Sequence, residues 1–341
     1  MLKMLSDGLR QHDRVEAIPG LVRRASQNNK TRKWAVEIEP EAILTDIQVT
    51  APMVVYCTGS RPHVEPLPRD PDDPDGSRRT TMSLETGLSP SRLRKVLPSA
   101  EPRTVAVIGD SHSAVLVLQN LFYLAAMSHT RLRIRWFTHT AHLRYAELDE
   151  AEGVVLNENT GLRGEAARFA RAQLEGDTLL RSDAGAFITR YLLPPAPAGE
   201  REAVLADGLR GVDFVFQAAG FTRNRLPDTR PDLVLPVGKP RVLEFNPLAG
   251  NFFPRALGPG RAIGLFGAGI AFPEMQLTPA GAPRQPAVAV WKFMDFLQRA
   301  VPRWVESTRT GRIERQLEVP WARRALRAEE RLRRKRDLPY A

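Results

Sequence analysis

The segment Thr104-Val105-Ala106-Val107-Ile108-Gly109-Asp110-Ser111-His112-Ser113-Ala114 constrains this chain more than any other. An apolar, partly β-branched run enters a turn of small residues. A helical stretch, 111–127, follows at once, and 132–138 reads as the next strand. The first amides of such a helix have no partner within it, and its dipole end is positive. Residues 103–138 therefore predict a strand–turn–helix–strand unit of the Rossmann type, with a pyrophosphate received at the helix start.

The turn fits Gly-x-Gly-x-x-Gly/Ala at two of three places. Gly109 supplies the tight turn, and Ala114 is small enough for helix–strand packing. Ser111 stands at the second glycine, where the backbone normally comes closest to phosphate, and its hydroxyl offers a hydrogen bond instead. Asp110, His112 and Ser113 complete the expected cofactor-binding turn. The second strand ends in Trp136-Phe137-Thr138-His139, with no acid before Glu147 and with Arg144 nearby. An acid there would grip the bare ribose diol, whereas an arginine suits a ribose 2′-phosphate. NADPH is thus expected over NADH.

Composition narrows the class. At 43% hydrophobic and 26% charged, 341 residues can bury a sizeable core, which excludes a disordered or fibrous chain despite 28 prolines. Cys57 is the single cysteine, so an internal disulfide, a Cys-x-x-Cys pair and a cysteine zinc site are all excluded. His139 and His142 have no acidic or cysteine cluster at ligand spacing, and no metal is expected. Met1–Arg14 is too polar for a signal peptide. The longest apolar stretch, Ala114–Met127, is broken by Gln119 and Asn120 and is too short to span a bilayer. A soluble, cytoplasmic protein without a membrane partner is expected. The net charge of +10 collects in the tail: residues 303–341 hold twelve Arg/Lys against six Asp/Glu. No aromatics interleave with the run Arg331–Arg336 to stack on bases, so a solvated helix at Trp321–Arg336 is expected rather than a nucleic-acid site.

Along the chain, strands are expected at 15–22, 34–38, 43–49 and 53–56, then a proline-rich connection over 62–77. After the central unit, helices are expected at 165–174 and 177–190, with a loop at 194–199. Strands follow at 212–217 and 261–266, and a helix at 287–301. Strands alternating with helices imply an α/β fold with a parallel sheet.

Three flanking segments resemble parts of known flavoproteins. Val54-Val55-Tyr56-Cys57-Thr58-Gly59-Ser60-Arg61-Pro62 resembles the "ATGS-x-P" segment of enzymes with two dinucleotide-binding domains, with Cys57 where alanine is usual. Phe214–Phe221, containing Ala218-Ala219-Gly220, resembles their second "ATG" segment. Leu265–Glu274, containing Gly267-Ala268-Gly269, resembles the late strand that returns to the flavin. In this order they resemble the pyridine nucleotide-disulfide oxidoreductase-like and flavin monooxygenase-like superfamily. With Asn159-Thr160-Gly161-Leu162 and Ala271-Phe272-Pro273-Glu274, the likeness is to a fungal-type subgroup of FAD/NAD(P)-dependent oxidoreductases.

The resemblance implies a Rossmann-like, two-dinucleotide-binding-domain α/β architecture. It implies FAD and NADP as cofactors, with Thr58, Gly59, Ser60, Ala219, Gly220, Gly267 and Gly269 at cofactor crossovers. It also implies a first Gly-x-Gly-x-x-Gly turn near the N-terminus, which the residues before Cys57 do not show. The expected division is an incomplete FAD domain and linker over 1–100, an NAD(P) domain over 101–235, a return to the FAD-type domain over 236–305, and a basic helical tail over 306–341. A truncated reading, a second chain or copy that completes the FAD site, and a loss of flavin each account for the missing turn.

No separate acid–base pair or nucleophile stands out. Cys57 reads as a buried small residue, His112 as either a neighbour of the nicotinamide or pyrophosphate or an exposed residue of the helix's first turn, and Glu274 as either a flavin-edge carboxylate or a turn cap. The expected function is a flavin- and NAD(P)H-dependent oxidoreductase, of reductase or monooxygenase type, acting on a small organic molecule of secondary metabolism. The alternative is a non-catalytic dinucleotide-binding or interaction protein.

Overall fold

A computed structural model describes residues 2–28, 30–41, 45–70, 73, 79–98, 101–149, 155–157, 161–194, 198–231, 242–257, 263–276 and 285–311. The main elements in chain order are α1 Leu2–Arg10, β1 Gly20–Gln27, β2 Trp34–Pro40, β3 Ile47–Ala51, β4 Val54–Tyr56, β5 Thr80–Met82, β6 Arg103–Ile108, α2 His112–Met127, β7 Leu132–Thr138, β8 Ile188–Leu192, α3 Ala198–Gly208, β9 Phe214–Gln217, β10 Asp228–Arg230, β11 Leu243–Asn246, β12 Asn251–Pro254, β13 Leu265–Gly267 and α4 Val290–Thr310. They fall into two compact units. One comprises Met1–Gly59, Arg223–Met275 and Ala287–Pro320; the other is chiefly Ser60–Thr222.

The Ser60–Thr222 unit is built on a five-stranded sheet of order β8-β7-β6-β9-β5. Every pairing in it is parallel. From β6 the chain steps outward through β7 to β8, then returns to the other side of β6 as β9. The order therefore reverses between β6 and β9, which makes that gap the topological switch point. The α/β expectation is borne out here. Val105, Ala106 and Val107 of β6 are fully buried, as a strand covered on both faces should be.

Helix α2 covers one face. Ala114, Val115, Val117, Leu118, Leu121 and Ala125 are all fully buried. At roughly 1.5–3 kcal/mol per fully buried large aliphatic side chain, Val115, Val117, Leu118 and Leu121 alone hold the helix on the sheet. The two polar residues that break its apolar run are satisfied in place. Gln119 donates to Glu165 Oε1 at 3.0 Å, and Asn120 donates to the Gly87 carbonyl at 3.1 Å.

The first unit has a different plan. One sheet, of order β10-β1-β2-β3, is antiparallel except for the β1–β10 pair. The second, β11-β12-β13-β4, ends in a parallel pair that sets Gly267 opposite Tyr56. Helix α4 packs on it through Phe296, Ala300 and Trp304. The Trp304 ring stacks on Phe266 at 4.8 Å, and its indole N–H donates to the Ala249 carbonyl at 2.8 Å.

Several sequence-based boundaries move. The strand expected at 15–22 runs over 20–27: Pro19 has no N–H, and pairing begins only at Gly20 opposite Pro40. The strand expected at 43–49 is β3, 47–51. Strand β5 lies just beyond the proline-rich connection and was not expected. The helix expected over 177–190 is a single turn, Thr178–Arg181, followed by a 3-10 turn and then β8. Ile188-Thr189-Arg190-Tyr191-Leu192 is β-branched and aromatic, and it pairs with β7 along its whole length. Helix α3 takes in only the last two residues of the loop expected at 194–199, and its continuation to Gly208 was not expected. The expected helix at 321–336 lies outside the described residues, as do Asn159 and Thr160.

Gly109 is the tightest point of the switch. Its φ is +128°, and a Cβ there would stand 2.5 Å from the Ala218 carbonyl oxygen. Gly211 also has positive φ, +65°, but has open space around it. Gly109→Ala is expected to cost about 2–4 kcal/mol, from backbone strain plus forced separation of β6 from β9, against about 1 kcal/mol for Gly211→Ala. Urea denaturation of both variants checks this; equal losses would mean that the β6–β9 contact yields freely.

Candidate functional site

The switch-point turn is fixed from below by β7. The Gly109 amide donates to the Phe137 carbonyl at 2.9 Å, and the buried Trp136 indole N–H donates to the Gly109 carbonyl at 2.8 Å. Both polar groups of the Gly109 peptide are thus used. What remains for a ligand is the start of α2. Ser111 is its N-cap, in extended conformation and without a side-chain cap bond. The first intrahelical bond runs from Val115 N to Ser111 O, leaving the amides of His112, Ser113 and Ala114 without intrahelical acceptors. The first turn carries no acidic residue.

Each side chain of the turn has a distinct place. The Ser111 hydroxyl donates to the Ala218 carbonyl at 3.3 Å, so it ties β6 to β9 across the switch. The Asp110 carboxylate accepts from the Thr138 hydroxyl at 3.3 Å and the Thr140 hydroxyl at 3.0 Å. Its negative charge is therefore directed to the loop after β7. Ala114 is wholly buried and serves packing, while Ala219 and Gly220 are exposed just past β9. Arg144 is exposed on the loop after β7, its carbonyl accepting from Leu162 N at 2.8 Å.

His112 is half-buried, and its Nδ1 is buried without a hydrogen-bond partner. Burial first, and the positive charge of Arg163 second, hold its pKa below the ordinary value. The ring is neutral at pH 7, so it adds no charge to the helix start.

Arg190, on β8, was hidden by the helical reading of its segment. One guanidinium nitrogen donates to the carbonyls of Thr140 at 2.6 Å and Ala141 at 2.7 Å. The same group lies 4.8 Å from the Trp136 ring centre. Only β-branched and aromatic residues around position 190 could have revealed it, by marking a strand.

The remaining expected residues lie elsewhere. Thr58, Gly59, Gly267 and Gly269 belong to the first unit, and Ser60 opens the second. The β4–β13 pairing brings two of these segments together, with Ala268 N donating to Tyr56 O at 3.0 Å. Gly267 is required by its neighbour: a Cβ would meet the Phe272 ring at 2.6 Å. Gly59 and Gly269 have positive φ, +68° and +79°. The hydroxyls of Thr58 and Ser60 are each buried without a partner. Among the described residues of this unit, neither helix opens on a strand–glycine turn. Among the described residues, the Gly109 turn has the form that receives a dinucleotide pyrophosphate, and no second strand–glycine–helix turn is present.

Glu274 is an ion-paired carboxylate. It receives both ends of the Arg299 guanidinium, at 2.9 and 3.1 Å. Cys57 is exposed rather than buried, and desolvation raises its thiol pKa, so it is no activated nucleophile.

No family model matches the chain. A curated relative does: monooxygenase AgnR1 of Paecilomyces divaricatus is 40% identical over 306 residues, covering 89% of this chain and 73% of that protein. This chain belongs to the family of that monooxygenase. The superfamily resemblance read from the motifs is thereby borne out. Similar solved structures include L-lysine 6-monooxygenase from Pseudomonas syringae, at 11% identity, 85% of this chain, 71% of that one and a TM-score of 0.44. An FAD-dependent pyridine nucleotide-disulphide oxidoreductase from Desulfovibrio vulgaris matches at 12% identity, 79% of this chain, 57% of that one and a TM-score of 0.40. The cadaverine monooxygenase DfoA of Erwinia amylovora, solved with FAD, matches at 11% identity over 63% of this chain and 51% of that one, with a TM-score of 0.30. The chain spans about half the length of the last two.

The His112 environment gives a direct check. Replacing Arg163 by Gln removes the smaller of the two causes. The His112 midpoint, followed by NMR titration, is expected to rise but to stay below 6.5, because burial persists. A midpoint unchanged in Arg163→Gln would place that charge elsewhere.

Proposed function

We propose that this chain is a monooxygenase that draws its electrons from NADPH docked on the Gly109 turn and acts on a small organic molecule. The observation that carries the reading is the bare start of α2 at the switch point, with three amides unused, no acid in the first turn and the Asp110 charge tied to threonine hydroxyls. NADPH, once bound, supplies a hydride. The protein's part is to hold the pyrophosphate on the amides of His112–Ala114 and to keep the Gly109 peptide locked by Trp136 and Phe137. Kinship to monooxygenase AgnR1 supports the reaction class. The resemblance supports a substrate of secondary metabolism, and the lack of an acid at the end of β7 supports NADPH over NADH.

The superfamily's second cofactor is FAD. Since the described residues offer no second cradle, we propose that the FAD pyrophosphate is held by residues outside them, on this chain or on a second chain or copy. No helix among the described residues is long and apolar enough to cross a membrane. NADPH oxidation is expected when FAD is added; NADPH binding without it would remove the monooxygenase reading.

Ser113 tests the docking site. It is half-exposed in the first turn of α2, where a carboxylate favours the helix dipole but opposes a phosphate. Ser113→Glu is expected to leave the thermal midpoint unchanged or slightly raised and to weaken NADPH binding about tenfold or more. Calorimetric titration measures it; NADPH affinity equal to that of the unsubstituted protein would remove the Gly109 turn as the site.

A further inference from the structure

Arg190 sits where a charge is expensive. It belongs to a strand of a parallel sheet, in register with Trp136, and its Nε is buried with no hydrogen-bond partner. Desolvation pulls its pKa down, while Glu175 and Asp110 push it back up from a distance. Neither acid pairs with it directly. Asp110 is taken by Thr138 and Thr140. Glu175 accepts the Tyr145 hydroxyl at 2.6 Å and the Leu143 amide at 3.4 Å. Among the described residues, Arg190 makes no ion pair, and its bonded partners are carbonyls. A desolvated guanidinium without an anion is costly unless a ligand supplies one.

Its position indicates the anion. Thr140 and Ala141 begin the loop that leaves the carboxyl end of β7, the strand next to the nucleotide turn. In doubly wound sheets the adenosine ribose lies at that strand end. The loop is already shaped. Arg171 lies over the Tyr145 ring at 4.4 Å, and Glu175 follows directly on a π-helical turn, Ala170–Leu174. Gly161 lets the chain press against Tyr145, where a Cβ would come within 2.6 Å of its backbone. The binding loop is thus braced before any ligand arrives.

Building on the NADPH reading, we propose that Arg190, rather than Arg144, reads the 2′-phosphate of the adenosine ribose and sets the preference for NADPH over NADH. Arg144 lies on the same loop but is exposed, so its charge is screened by water. Arg190 is half-buried, stacked and held at a fixed height by two carbonyls, which makes its charge count for more.

The test uses the full chain and two fragments of the cofactor, 2′,5′-ADP and 5′-AMP, with affinities read by calorimetric titration. The unsubstituted protein is expected to bind 2′,5′-ADP at least tenfold more tightly than 5′-AMP. In Arg190→Gln that ratio is expected to fall to within about twofold of unity while 5′-AMP binding holds. Arg144→Gln is expected to keep the ratio. A purely structural role for Arg190 would weaken both ligands together, and that result overturns the proposal. So does a ratio lost in Arg144→Gln but kept in Arg190→Gln. Should Arg190→Gln not fold, Arg190→Lys retains the cation and is expected to keep at least a threefold ratio; a ratio of one in the folded lysine variant overturns the proposal. An unsubstituted protein that binds 5′-AMP and 2′,5′-ADP equally also overturns it, yet leaves the dinucleotide reading standing. Binding of neither fragment overturns both.

Discussion

The close approach of Gly109 to Ala218 is the constraint on which the nucleotide-type unit depends. Two adjacent parallel strands whose following connections go to opposite sides can open a crevice only if the strand ends first come together without bulk. Here a single Cβ at 109 would sit 2.5 Å from a backbone oxygen. Because that atom is missing, β6 runs level with β9, the Ser111 hydroxyl reaches Ala218, and α2 begins directly above the gap. Trp136 then closes the underside by donating to the Gly109 carbonyl. The helix start is fixed in place by backbone packing, so its amides are oriented before any ligand binds.

Charge is distributed around this point by the same economy of contacts. Carboxylates near the site are occupied: Asp110 with two threonine hydroxyls, Glu175 with Tyr145 and the Leu143 amide. The start of α2 has no acid in its first turn, and the Arg190 guanidinium bonds carbonyls rather than a carboxylate among the described residues. His112, kept neutral by burial and by Arg163, adds no charge. The site favours an anion because its negative groups are spent on the loop that walls it. In the other unit, close packing takes a different form. Gly267 yields to the Phe272 ring, and Gly250 to Trp304 and Phe296, so those glycines serve an aromatic core.

The sequence revealed the parts whose chemistry is local. The β6–turn–α2–β7 run was legible because an apolar strand, a glycine and a small-residue helix start each leave a mark at fixed spacing. The polar interruptions Gln119 and Asn120 were legible in the apolar run, though their half-buried bonds to Glu165 and Gly87 could not be foreseen. Strand β8 was misread because its five residues follow a helical turn and carry an arginine mid-strand. Its strand character comes from pairing with β7, more than fifty residues earlier. With it went Arg190, whose role depends on contacts to Trp136, Thr140 and Ala141. The exposure of Cys57 and the bidentate Arg299 partner of Glu274 were likewise not legible, because both are properties of the assembled unit.

What the sequence determined by itself is the strand–glycine turn at Gly109, the helix it opens and the family motifs that flank it. These follow from conformational needs that a few adjacent residues satisfy alone. The tertiary structure decided the strand order, the placing of Gly109 at the switch point, the assignment of Asp110 to the loop, and the bracing of Arg190 by the Thr140 and Ala141 carbonyls. Those depend on residues far apart in the chain meeting within hydrogen-bond distance. Such meetings are selected by how the whole sheet buries its apolar faces, and no local pattern encodes that.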